Sequence, residues 1–354
     1  MAFPVLNVAR DCIYFRGDVP CKPHKDSGAR CKCELYRRRG KRILVVKLGA
    51  MGDVVRSTSI SERLRKTYPD CEITWLTNYP DVVPKAADVA LVFNERSVAA
   101  LMADKFDVLY NFDKDREACA VASLVKAGLK KGFVLEDGKC APADKDAVHK
   151  FVTGVFDDES RANKKSYQEE MFEIAGEKYA GERYAIEHEE FEGILPKGCI
   201  IGLNTGGADR WTARLWPDEM WEKLAVLLKE KGYAPMFVGG AAEHEKNVAL
   251  SKKTGAFYPG HFQFKKFAGI VRKCDAVVSC VTLGFHVAVA MERKVVLLNN
   301  IFNKHEFDLY GSGKIIEPPK ECRCFYRSKC IYGGSGCLDN IKPEDVAKAL
   351  EEMI

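Results

Sequence analysis

The first group in this chain that could do chemistry is a lone carboxylate. Asp53 follows the apolar run Ile43-Leu44-Val45-Val46 and the glycines Gly49 and Gly52, where a buried parallel strand would turn tightly into a helix. At the C-terminal edge of a parallel sheet a carboxylate meets whatever binds there and can take a proton from a hydroxyl. It can equally cap the following helix. A second turn, Thr205-Gly206-Gly207, closes the apolar segment from Cys199 to Asn204 and offers a hydroxyl and open amides suited to phosphate. A plain strand-to-helix turn would use the same residues. Asp113-Lys114-Asp115-Arg116 sets charges at the end of another apolar run, either to read sugar hydroxyls and phosphates or to make a solvated, helix-capping turn. Two cysteine clusters complete the inventory: Cys12, Cys21, Cys31 and Cys33, and Cys322, Cys324, Cys330 and Cys337. Each suits a closed tetrahedral thiolate site for structural zinc or iron, with His24 as a substitute ligand in the first; disulfides are the alternative.

Alternating strands and helices must position these turns. The pattern predicts strands at 43–48, 72–76, 89–93 and 108–112, helices at 53–67 and 116–127, a polar stretch at 136–166 with a weak helix at 148–156, and a helix at 167–175. A hinge over 178–198 follows. The second half predicts strands at 200–204, 234–238, 276–279 and 295–298. Helices are expected at 217–231, 243–254, 264–272, 284–291 and 343–353. This alternation implies an α/β protein with a parallel sheet in each half. The expected division is a Cys-rich N-terminal extension over 1–40, a first α/β domain over 41–188 and a second over 189–354.

Composition narrows the class. With 354 residues, 47% of them hydrophobic, the chain can bury two cores of ordinary size. A net charge of +5 is too mild to indicate a nucleic-acid partner. No uncharged apolar run approaches the roughly 18 residues of a membrane helix. The start Met1-Ala2-Phe3-Pro4-Val5 lacks the charged and apolar regions of an export leader, so a cytoplasmic location is expected. The basic run Arg37-Arg38-Arg39-Gly40-Lys41-Arg42 suits anionic lipid headgroups or a phosphorylated glycolipid, or is a solvated linker.

Taken in order, Lys47, Leu48, Gly52 and Asp53 (Lys-Leu-x-x-x-Gly-Asp), then a strand ending in Asn204, then Arg214, Trp216 and Pro217, resemble glycosyltransferase family 9. This is the family of the heptosyltransferases of bacterial lipopolysaccharide synthesis. The resemblance implies the GT-B fold, two Rossmann-like domains facing across a cleft, with the acceptor on the first and the nucleotide-sugar donor on the second. It implies Asp53 as general base and Arg214, where the family has lysine, as the cation for the departing diphosphate. Thr205, Gly206 and Gly207 would lie near the phosphates, and Glu243, after Gly239-Gly240, at the ribose, unless it serves as a helix N-cap. Thr282 and His286 match the family's Asp-Thr/Ser-Gly-x-x-His turn, although Val281 replaces its Asp and Leu283 its Gly, and a satisfied core histidine is the other reading of His286. A four-cysteine tail like that at 322–337 occurs in many members.

The resemblance thus implies an inverting glycosyltransferase that moves a heptose from ADP-heptose to a lipopolysaccharide or other glycan acceptor without catalytic metal. Peripheral contact with the anionic inner face of the cytoplasmic membrane would suit such an acceptor. Val281 motivates two alternatives: a member with another nucleotide-sugar donor or a protein acceptor, and a catalytically silent GT-B scaffold.

Overall fold

A computed structural model describes residues 8–207, 209–333 and 336–354. Ahead of the first sheet lie a short helix, α1 (Lys22–Ser27), and an isolated antiparallel bridge between Cys12 and Arg38. The basic run that follows is largely engaged within the fold. Arg42 pairs with Glu72 and Asp104, Arg39 with Glu72 and Arg38 with Asp11, while the ammonium of Lys41 lies 4.9 Å from the centre of the Tyr68 ring.

The apolar run after Arg42 becomes β1 (Arg42–Val46), fully buried from Ile43 onward because helices cover both of its faces. The chain continues through α2 (Met51–Ser57), α3 (Ile60–Thr67), β2 (Glu72–Thr77), β3 (Val89–Val92), α4 (Glu95–Ala103), β4 (Lys105–Asn111), α5 (Arg116–Leu124), β5 (Lys126–Glu136) and β6 (Lys139–Pro142). These strands form one sheet in the order β3-β2-β1-β4-β5-β6, parallel except for β6. Helices α6 (Val148–Val152), α7 (Asp157–Ala162) and α8 (Tyr167–Ala175) follow, the last opened by a Ser166–Glu169 capping box and closed by Gly176 in the left-handed region.

The second half runs β7 (Ile200–Asn204), α9 (Asp218–Glu230), β8 (Ala234–Val238), α10 (His244–Thr254), α11 (Phe264–Arg272), β9 (Ala276–Cys280), α12 (Leu283–Ala290), β10 (Lys294–Leu298), β11 (Gly313–Ile316) and α13 (Pro343–Glu351). Its parallel sheet is ordered β11-β10-β9-β7-β8. In each sheet the strand order reverses beside the first strand, between β1 and β4 and between β7 and β9. That is where a crevice opens at the C-terminal ends of parallel strands. Helix α2 packs against α12, and one buried apolar cluster runs from Ile43, Val54 and Trp75 to Phe285, Val287 and Leu297, so the two crevices meet over a shared core.

Two expected elements are built differently. The helix expected at 53–67 is two helices: Ser57 Oγ donates to the Asp53 carbonyl and Thr58 Oγ1 to that of Val55, both at 2.7 Å, bonds that compete with the helical ladder. The helix expected at 116–127 stops at Leu124, and the chain enters a hairpin that the periodicity did not suggest. Its two-residue loop, Asp137-Gly138, takes φ of 47° and 75°, the primed-turn conformation for which Asp-Gly is suited.

Candidate active site

Asp113, just past β4, builds the first crevice. Its carboxylate accepts the amides of Leu48 and Gly49, the latter at 2.8 Å, and pairs with the ammonium of Lys47. Both side chains are about 5% exposed. Burial alone would lower the lysine's pKa, but Asp113 outweighs it and keeps Lys47 charged. The expected charged reader at this position is therefore split: Asp113 fixes the turn, and Lys114 donates to the Lys150 carbonyl at 3.4 Å.

Asp53 lies in the first turn of α2 but makes no capping hydrogen bond; Ala50 is the N-cap. Its side chain is 34% exposed, and Oδ1 accepts Arg56 Nη2 at 2.8 Å. Burial pushes its pKa up, yet Arg56 and Lys47 outweigh that and hold it at about 2. At neutral pH Asp53 is an ionised, acceptor-only group open to the cleft.

The second crevice is tied together by Asn204, whose Nδ2 donates to Ser279 Oγ at 2.9 Å and Thr282 Oγ1 at 2.8 Å. A Cβ on Gly284, in the first turn of α12, would come within 2.4 Å of that amide and displace it. The hydroxyl of Thr205 is engaged, donating to Asn247 Oδ1 at 2.6 Å. Glu243 bridges the two glycine turns, accepting Gly240 N at 2.9 Å and Gly207 N at 3.4 Å, and a Cβ on Gly206 would meet it.

Arg214 ends the 3₁₀ turn Asp209–Arg214, its guanidinium about 6 Å from the ring centres of Trp211 and Phe302. Its Nε is buried without a partner, and among the described residues no carboxylate forms an ion pair with it. Burial lowers its pKa, while the nearby Cys280 and then the charge of Asp53 act the other way. His286 stands between them: it is 5% exposed, and a Cβ on Gly52 would lie 2.8 Å from its Cδ2. Burial and then Arg56 push the imidazole down to about 3, so it is neutral at physiological pH with Nδ1 unpaired.

Two residues of this cluster carried no assignment from sequence. Arg56 lies flat on Tyr167, 3.6 Å from the ring centre, and its Nη1 is 3.6 Å from Glu306 Oε2. Its one sequence signal is the three-residue spacing from Asp53, which also fits a solvated helix face.

The structure does not support a metal at either cysteine cluster. Among the described residues no three potential ligands are grouped to hold an ion, and all fourteen cysteines are free. At 322–337 the thiols meet in pairs, with Cys324 Sγ 3.9 Å from Cys330 Sγ, and take backbone donors instead: Cys324 N to Cys322, Ile331 N to Cys324 and Tyr332 N to Cys330. In the N-terminal cluster Cys12 sits in the isolated bridge, Cys21 is the N-cap of α1 and Cys31 and Cys33 follow that helix, while His24 Nδ1 is engaged with the Ala29 carbonyl at 3.0 Å.

Residues 96–316 match the family model described as glycosyltransferase family 9 (heptosyltransferase). Among solved structures the chain is similar to the glycosyl transferase family 9 protein from Veillonella parvula, with a TM-score of 0.67 and 19% identity over 88% of this chain and 97% of that one. It is also similar to E. coli ADP-heptose lps heptosyltransferase II (TM-score 0.61, 18% identity, 88% and 98% covered). A third is E. coli heptosyltransferase WaaC with ADP-2-deoxy-2-fluoro heptose (TM-score 0.60, 16% identity, 88% and 99% covered). No curated protein sequence matches the chain.

Proposed function

This chain belongs to glycosyltransferase family 9, and from that premise we propose that it is an inverting transferase moving a heptose from ADP-heptose to a lipopolysaccharide or other glycan acceptor. In this reading 41–188 holds the acceptor and 189–354 the donor in a GT-B arrangement. What supports it is an ionised carboxylate, Asp53, beside the first crevice and a buried cation, Arg214, beside the second, with which no carboxylate among the described residues pairs. A desolvated guanidinium is costly unless an anion completes it, and a diphosphate would do so with bidentate contacts. The WaaC structure with an ADP-heptose analogue supports the choice of donor.

Chemistry follows from placement. Asp53 accepts the proton of the attacking hydroxyl as the bond to the sugar carbon forms. Arg214 takes up the charge that develops on the departing diphosphate, aided by the Gly206-Gly207 amides and the Thr282 hydroxyl. Base and cation on opposite sides of the reacting carbon favour a single displacement, hence inversion. Glu243 meets the ribose, and neutral His286 adds a hydrogen-bonding group without competing for the phosphate. No helix among the described residues is long and apolar enough to cross a membrane, and we place the enzyme at the cytoplasmic face, where a glycolipid acceptor is presented.

Calorimetry with ADP tests the donor site. Arg214→Ala should weaken ADP binding by about 10- to 100-fold, the worth of one or two charge-assisted hydrogen bonds. Absence of binding by any nucleoside diphosphate to the wild type would contradict the reading.

A further inference from the structure

Arg56 lies between two carboxylates that come from different halves of the chain. Asp53 is one turn back on its own helix, 2.8 Å from Nη2. Glu306 ends the 3₁₀ turn Lys304–Glu306 beyond β10 and stands 3.6 Å from Nη1. We propose that Glu306 is a positioning residue for the transfer reaction: from across the seam it holds Arg56 in the pose that keeps Asp53 aimed into the cleft, so the base is set when the two halves are together. This rests on the reading of Asp53 as general base.

The turn that presents Glu306 is fastened to the first half of the chain. Asn303, 8% exposed, donates through Nδ2 to the Ser160 and Asn163 carbonyls at 2.7 and 2.8 Å, and its Oδ1 accepts His305 N at 3.0 Å. Arg56 is fixed on its other sides, its guanidinium on the Tyr167 ring and its carbonyl accepting Gln168 Nε2 at 3.2 Å. The remaining freedom is rotation of the fork, and the two carboxylates at its ends remove it.

Stability alone gives no reason to retain Glu306. Its side chain is 8% exposed, and its closest cation is 3.6 Å away, too far to offset desolvation well. The other charges facing it are spoken for: Lys150 is held by Glu170 at 2.6 Å and Lys114 by a carbonyl, while Glu170 and Asp53 repel it. Burial first, then those two carboxylates, raise its pKa above the ordinary glutamate range against the pull of Lys150 and Arg56. Around Asp53 itself the further facing groups are Lys47, His286 and Arg214, with Tyr167 and Tyr184 against Arg56. The tie between Glu306 and Arg56 is thus present above that raised pKa and lost below it.

The test uses the full chain labelled with ¹⁵N-arginine. The Arg56 side-chain signal, identified by its loss in Arg56→Lys, should shift on acidification through a transition above the ordinary glutamate range, and that transition should vanish in Glu306→Gln. With ADP-heptose as donor, Glu306→Gln should lower kcat about 10- to 100-fold while KM stays within about twofold, as expected for misplacement of the base rather than loss of donor contacts. Glu306→Asp should recover part of kcat. An unchanged transition, or wild-type kcat, in Glu306→Gln overturns the inference. If the wild type neither binds ADP nor consumes ADP-heptose, it is the transferase reading that fails, and the titration still decides whether Glu306 holds Arg56.

Discussion

His286 shows how strongly the meeting of the two crevices shapes single residues. An imidazole that titrates near 6.5 in an unfolded chain is held at about 3 here, by burial first and Arg56 second. The unfolded state therefore binds the proton first as pH falls. The neutral ring's contribution to stability is complete above the unfolded value and is lost progressively as pH drops from about 6.5 toward about 3. Between about pH 6 and pH 5 the wild type should lose on the order of 1 kcal/mol more than His286→Gln in urea unfolding. Parallel losses in the two proteins would show that the ring is not held neutral. Val281, just before the Thr282 that caps α12, is buried at 6% exposure.

At the scale of elements, the contact of α2 with α12 leaves no room at Gly52. A methyl group there would lie 2.8 Å from His286 Cδ2 and 3.7 Å from the Leu283 backbone. Gly52→Ala should therefore cost about 1–3 kcal/mol, read as a lowered melting temperature, because the helices must part to admit it. An unchanged melting temperature would mean that the two helices are not in register. Much of this layer was legible from sequence. The strands at 200–204 and 234–238 and the helices at 167–175 and 264–272 fall where their apolar runs and periodicity place them. β5 was not legible, since Lys126, Lys130 and Lys131 interleave with Gly128 and Gly132 in a half-exposed strand next to the sheet edge, and four-residue β11 carries little apolar signal. The turn that carries Asp53 was legible because a strand-to-helix turn is local chemistry, whereas Arg214 was singled out only through the family resemblance. The contact of Arg56 with Glu306 exists only in three dimensions. The cysteine spacing of the tail did foretell one shared cluster of thiols, but not an ion-holding group, while the N-terminal four are dispersed. With all its cysteines free, the denatured protein should titrate fourteen thiols without reductant. A lower number would reveal disulfides.

Across the whole molecule, two parallel sheets turn their strand-order reversals toward one another over a continuous core. In the proposed reading each supplies half of a reaction. The first contributes an ionised carboxylate braced by Lys47 and Arg56, and the second contributes a buried cation, glycine amides and hydroxyls. On that reading neither half alone would both activate an alcohol and stabilise a leaving diphosphate, so the reaction needs the two halves together. This requirement is tested most directly by comparing wild type with Asp53→Asn for ADP release from ADP-heptose, with ADP affinity measured on both. Asp53→Asn should lower kcat by about 10²- to 10⁴-fold while ADP affinity changes less than about threefold. Turnover by Asp53→Asn at the wild-type rate would contradict it.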